Sequence, residues 1–141
     1  MTPTVYAVVD VSVAVKWLFG EPGSAQAVVW RDKALAQGVL LCAPEYLLVE
    51  LHNVIWKKVR FGEMHAADPI IQGSPNFGLD LNWLPTLPLL PAALRHAMDL
   101  DMAIYDGIYV ALAMALDASF CTSDKELARK LQKTSIATHL I

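Results

Sequence analysis

The sequence predicts an α/β fold built on a central, mostly parallel sheet, and three observations predict it. Short apolar, β-branched runs alternate with longer segments of helical period along the chain. The runs at 5–9, 39–42 and 119–122 are four or five residues long and carry few polar positions, as strands buried on both faces do. No repeat, low-complexity tract or long linker divides the 141 residues, so a single domain over residues 1–141 is expected.

The elements follow in order. A first strand is expected over residues 5–9, ending on Asp10. Ser12 is expected to cap a short helix carrying Val13, Val15, Trp17, Leu18 and Phe19. GEPGS then punctuates the chain, and an amphipathic helix is expected over 25–37, with Gly38 just past its end. Residues 39–42 read as a second strand. Pro44 suits the first turn of a helix running to about Phe61, where Gly62 stops it. The stretch 66–80 is broken by Pro69, Gly73, Pro75 and Gly78, so any helix there is short or kinked. Residues 81–90 read as a strand with Pro85 and Pro88 near its end, 91–100 and 104–116 as helices, and 119–122 as a short strand. Ser123 or Asp124 caps a helix over 125–133, and a last strand is expected over 136–141.

Composition narrows the function. At 55% hydrophobic and 18% charged the chain is apolar but not membrane-like, because no apolar run approaches the roughly 18 to 20 residues a bilayer span needs. The N-terminus lacks a basic secretory n-region and reaches a carboxylate at Asp10. Cys42 and Cys121 lie in apolar runs and read as buried free thiols, with no disulfide framework and no CxxC pair. A cytoplasmic location is expected. The net charge of −3 is unlike the usual basic footprint of a nucleic-acid protein, but carboxylates collected around divalent cations account for such a balance. His52, His65, His96 and His139 show no metal-ligand spacing, and the four tryptophans read as core or interface residues. GxSxG, P-loop and GxGxxG motifs are absent.

The informative acids are those in unexpected places. Asp10 ends the first strand, at the sheet edge where open α/β folds form their ligand crevice. Asp124 follows the SFCT strand and reaches the same edge if that strand is parallel to the first. Asp106 opens the apolar helix IYDGIYVALAMAL beside Gly107, and Glu50 interrupts an apolar helical stretch. Each has a plainer role available: helix cap for Asp124, strand end for Asp10, first-turn acid for Asp106, surface acid for Glu50. Together they are a set of hard oxygen donors, the kind Mg²⁺ or Mn²⁺ takes while keeping several waters. Such a cluster repels itself unless a cation compensates it.

The segments VVDVSVAVKW, APEYLLVELHNVIWK, YDGIYVALAMAL and CTSDKELARKL, in that order, resemble the PIN-domain ribonucleases, and in particular the VapC toxins of toxin–antitoxin pairs. The similarity runs from residue 5 to about residue 132. It implies a three-layer fold, a central parallel sheet between helices, and a divalent-metal-dependent endoribonuclease using Mg²⁺ or Mn²⁺. It also implies an RNA substrate, a cognate VapB-like antitoxin and a homodimer. Asp10, Glu50, Asp106 and Asp124 match the family's catalytic, metal-holding acids. Ser12, Asn53 and Thr122 match polar residues that orient the ligands or a water, and Glu21 resembles an acid often found after the first helix. Residues 66–80 depart from the family's more regular helix. Lys16, Lys57 and Lys125 are candidate RNA contacts, within possible basic rims formed with Lys58, Arg60, Arg129, Lys130 and Lys133. The alternative function is a non-catalytic PIN-like module that binds RNA or a partner; four intact acids favour the enzyme.

Overall fold

The computed structural model describes residues 3–141. Five strands form one sheet: β1 (Tyr6–Val9), β2 (Leu40–Pro44), β3 (Asn82–Leu84), β4 (Ser119–Thr122) and β5 (Thr138–Leu140). Their order across the sheet is β3-β2-β1-β4-β5, and all four pairings are parallel. Six helices connect them: α1 (Val11–Leu18), α2 (Ser24–Ala36), α3 (Tyr46–Arg60), α4 (Leu90–Leu100), α5 (Ile104–Leu116) and α6 (Lys125–Leu131).

Successive strand residues point to opposite faces, so burial reports how a sheet is covered. Ala7, Val8 and Val9 are all buried, as are Phe120, Cys121 and Thr122. Both faces at the sheet's centre are therefore packed, the layered arrangement that parallel strands require. Leu47, Leu51 and Ile55 form the buried stripe of α3 at helical spacing. On α5 the burial is broader, with every residue from Gly107 to Ala113 enclosed. Gly107 is held to its size by a close approach: a Cβ there would stand 2.5 Å from the Ala93 carbonyl oxygen of α4.

Several boundaries differ from those the sequence predicts. Asp10, not Ser12, caps α1: its carboxylate accepts from the Ser12 amide at 3.0 Å. Pro44 closes β2 instead of opening α3, which begins at Tyr46. The expected strand over 81–90 is only Asn82–Leu84, because Pro85 and Pro88 remove ladder donors; a 3-10 turn at Leu87–Leu89 then leads directly into α4. Residues 66–80 hold one 3-10 helix, Pro69–Gly73, capped by Asp68. α6 stops at Leu131 and β5 spans only Thr138–Leu140.

Candidate active site

The chain leaves β1 in one direction to build β2 and β3 and returns on its other side to build β4 and β5. Between β1 and β4 the winding reverses, and at such a point the strands' carboxyl ends open a crevice. Asp10 stands at the end of β1, and Thr122, Ser123 and Asp124 at the end of β4. The register pairing Val9 with Cys121 brings those two ends side by side.

Asp10 is the most buried of the four acids. Only 6% exposed, it accepts from Ser12 Oγ at 2.5 Å through one oxygen and from Thr122 Oγ1 at 2.5 Å through the other. The network extends outward: the Ser123 amide donates to Ser12 Oγ at 2.8 Å, and the Asp124 amide to Thr122 Oγ1 at 3.0 Å. Two hydroxyls thus tie the ends of β1 and β4 together through one carboxylate. Burial pushes Asp10 up to about 6, against the downward pull of its hydroxyl and amide donors.

Glu50, on α3, accepts a 2.5 Å hydrogen bond from the Tyr109 phenol of α5. Burial raises Glu50 to about 7; Tyr109 opposes that rise, while the charges of Asp10 and Asp106 add to it. Asp106, half-buried in the first turn of α5, is raised by burial and by Asp124, with the Lys130 ammonium working the other way. The charges of Asp10 and Asp106 thus reach Glu50, and that of Asp124 reaches Asp106. Among the described residues none of them is ion-paired. Asp124 is exposed and also caps α6, accepting from the amides of Glu126 and Leu127 at 3.0 Å. The cap and the site acid are one residue.

The remaining candidates divide. Ser12 and Thr122 hold Asp10 directly, and Asn53 lines a cleft of about 390 Å³ with Glu50. Lys16 is committed to Glu21 at 3.0 Å. Lys57 is exposed on α3, and Lys125 is exposed beside Asp124. Lys58 pairs with Glu63 at 3.6 Å and covers the Phe19 ring. Of the histidines, His52 bonds Ser74 Oγ at 2.7 Å, and His139 lies by Trp30.

Sequence reasoning passed over two residues. Tyr109 was legible as the position three beyond Asp106, hence on the same face of α5. Ser123 was read only as a cap, yet its hydroxyl is buried with no hydrogen-bond partner among the described residues. A polar atom left so is a place for a bound water or ligand.

Among the described residues no group of three or more His, Cys, Asp or Glu side chains makes a ready cation cage. The acids instead form a looser set of oxygen donors without ion pairs among the described residues, Glu50 facing the cleft along α3 and the buried Ser123 hydroxyl lying between Thr122 and Asp124 in sequence. That donor set fits a hard cation that keeps much of its water.

Comparison with known proteins agrees with this architecture. The PIN domain family profile matches residues 7–131. PAE2754 from Pyrobaculum aerophilum superposes with a TM-score of 0.66 at 24% identity, covering 96% of this chain and 83% of that one. VapBC2 from Rickettsia felis, bound to a DNA fragment from its promoter, gives 0.65 at 11% identity, with 97% and 99% covered. FitAB bound to the IR36 DNA fragment gives 0.64 at 14% identity, with 94% and 92% covered. A search of curated proteins found no match. The match over residues 7–131, on a parallel sheet whose order reverses beside its acids, establishes that the chain belongs to the PIN-domain family.

Proposed function

We propose that this protein is a divalent-metal-dependent endoribonuclease and the toxin of a type II toxin–antitoxin pair. PIN domains are generally nucleases. The observation that carries the reading is the set of four acids, none of them ion-paired among the described residues, with Asp10 and Asp106 acting on Glu50 and Asp124 acting on Asp106. A purely structural role gives no return for desolvating Asp10 and Glu50 against each other's charge.

Asp10, Glu50, Asp106 and Asp124 would hold Mg²⁺ or Mn²⁺. When bound, such an ion activates water and neutralises charge on the phosphate under in-line attack. The chain's own residues supply the geometry. Ser12 and Thr122 fix both Asp10 oxygens, and Tyr109 occupies Glu50 Oε1, leaving Oε2 for other work. Asn53 offers a further polar contact in the cleft, and the buried Ser123 hydroxyl beside Thr122 offers one to a bound water. Lys57 and Lys125 are proposed contacts for the RNA backbone, and Lys130, whose charge Asp106 feels, joins them. Lys16, held by Glu21, serves the chain's own packing first.

The toxin assignment extends to this chain the setting of its structural neighbours, VapBC2 bound to a DNA fragment from its promoter and FitAB bound to the IR36 DNA fragment. A VapB-like antitoxin would close the pocket with a basic side chain against the acids. A homodimer is supported by Leu90, Leu94 and Met98, an exposed apolar stripe four residues apart on α4. Among the described residues no helix is long and apolar enough to cross a membrane, and we place the protein in the cytoplasm.

Incubation of purified protein with single-stranded RNA and Mn²⁺ tests the enzyme. Cleavage that EDTA stops and Asp10→Asn abolishes is expected. Intact RNA across millimolar Mn²⁺ and Mg²⁺, with no growth arrest on expression, would reject it in favour of the non-catalytic module.

A further inference from the structure

The cleft beside Glu50 carries more than metal chemistry asks for. It holds about 390 Å³, in the range of small-ligand pockets, between α1, α3 and the start of α5. Tyr46 and Tyr105, both in its wall, stack with centroids 5.7 Å apart and ring planes 6° from parallel. Tyr105 nonetheless stays 54% exposed, so a large flat ring is fixed in place without being used up in the core. It immediately precedes Asp106, and Glu50 and Asn53 complete the polar part of the wall. Asn53 is exposed, and its side-chain amide faces the cleft.

Electrostatics decides which part of a nucleic acid fits. A wall containing Glu50 repels phosphates, which must lie where a cation or a lysine compensates them. A nucleobase is neutral and flat, and stacks on any aromatic face. The Asn53 amide offers both a donor and acceptors to a base edge.

We infer that this cleft receives one unpaired nucleobase of the RNA, stacked on Tyr105 with its edge toward Asn53, next to the phosphate to be cut. The inference rests on the nuclease reading above and adds a specificity pocket to it. Tyr46 acts by holding Tyr105 in position.

The test is fluorescence anisotropy of a labelled single-stranded RNA with Mg²⁺ and the Asp10→Asn protein, which prevents turnover. A single abasic position is walked along the RNA. One abasic position should weaken binding roughly 5- to 150-fold, the range for loss of one base stack. Tyr105→Ala in the same background should cost a comparable factor and become indifferent to that position, since the two changes remove one interaction. Tyr105→Phe should keep both affinity and discrimination. A Tyr105→Ala protein that still senses the same abasic position would overturn the inference and leave the nuclease reading standing. So would one that binds RNA unchanged but releases a co-purified protein, because the cleft would then belong to a protein partner. Failure of both the native and Asp10→Asn proteins to bind RNA would overturn both readings.

Discussion

Replacing Asp10 with asparagine separates the energetics of the site from its chemistry. The carboxyl is nearly fully buried, and burial raises it from 3.8 to about 6. At about 1.4 kcal/mol per pKa unit, holding it ionised in the folded protein costs about 3 kcal/mol. Asparagine is nearly isosteric and carries no charge, but its amide nitrogen cannot accept the Thr122 hydroxyl as Oδ2 does at 2.5 Å. Losing that acceptor costs about 1 kcal/mol. Without metal, Asp10→Asn should therefore be about 2 kcal/mol more stable than the native protein at pH 8. That is roughly 6 °C in Tm for a chain of this length. Glu50, which the Asp10 charge pushes up, is relieved in the same direction.

The pH dependence makes this specific. The folded protein binds the Asp10 proton more tightly than the unfolded chain does. The native protein thus holds its full share of stability below about pH 4 and loses it as pH rises through about 6. The advantage of the variant should vanish near pH 4, where the native carboxyl is protonated, and even reverse by the lost acceptor. Paired thermal melts in EDTA at pH 4, 6 and 8 measure it. A stability difference independent of pH would refute the assigned cost of the buried charge, whatever its sign.

Other expectations are shorter to state. Millimolar Mn²⁺ should raise the native Tm by stabilising the folded state, by about 2.7 kcal/mol at 100 times the dissociation constant, and EDTA should reverse it; melts unmoved by either would tell against the acids as ligands. Tyr109→Phe removes the phenol from Glu50 and should weaken Mn²⁺ binding, read by calorimetry, while leaving the fold intact; unchanged affinity would show that Tyr109 does not position Glu50. Gly107→Ala drives a Cβ into the Ala93 carbonyl and should cost about 1–3 kcal/mol in urea unfolding, since backbone has to move; a neutral effect would mean that α4 yields freely. Leu94→Asp should yield a monomer by light scattering if the α4 stripe joins two copies, and an unchanged mass would remove that face from the assembly.

The alternation of strands and helices, the family and the four acids were legible in the sequence, because each depends on local pattern. A buried parallel strand needs a continuous apolar run, and YAVV shows it; a lone acid in an apolar helix stands out, as Glu50 and Asp106 do. Boundaries were less legible where one residue serves two rules. Pro44 suits a helix start as well as a strand end, and only its pairing with Leu84 in the sheet decided between them. Asp10 was read as an acid and Ser12 as the cap, whereas the geometry gives Asp10 both tasks.

What tertiary structure alone decided is how distant residues share a proton or a charge. Thr122 meets Asp10 across 112 positions, and Tyr109 meets Glu50 across 59. The register of β1 on β4 and the packing of α5 beside α3 bring them together. Local periodicity carries no information on that register, because it is set by how the whole core fills. The Tyr46–Tyr105 stack has the same origin, one ring on α3 and the other on α5. The sequence by itself determined which groups could do chemistry, since side-chain type is local. The fold determined which of them stand together, since contact distance is not.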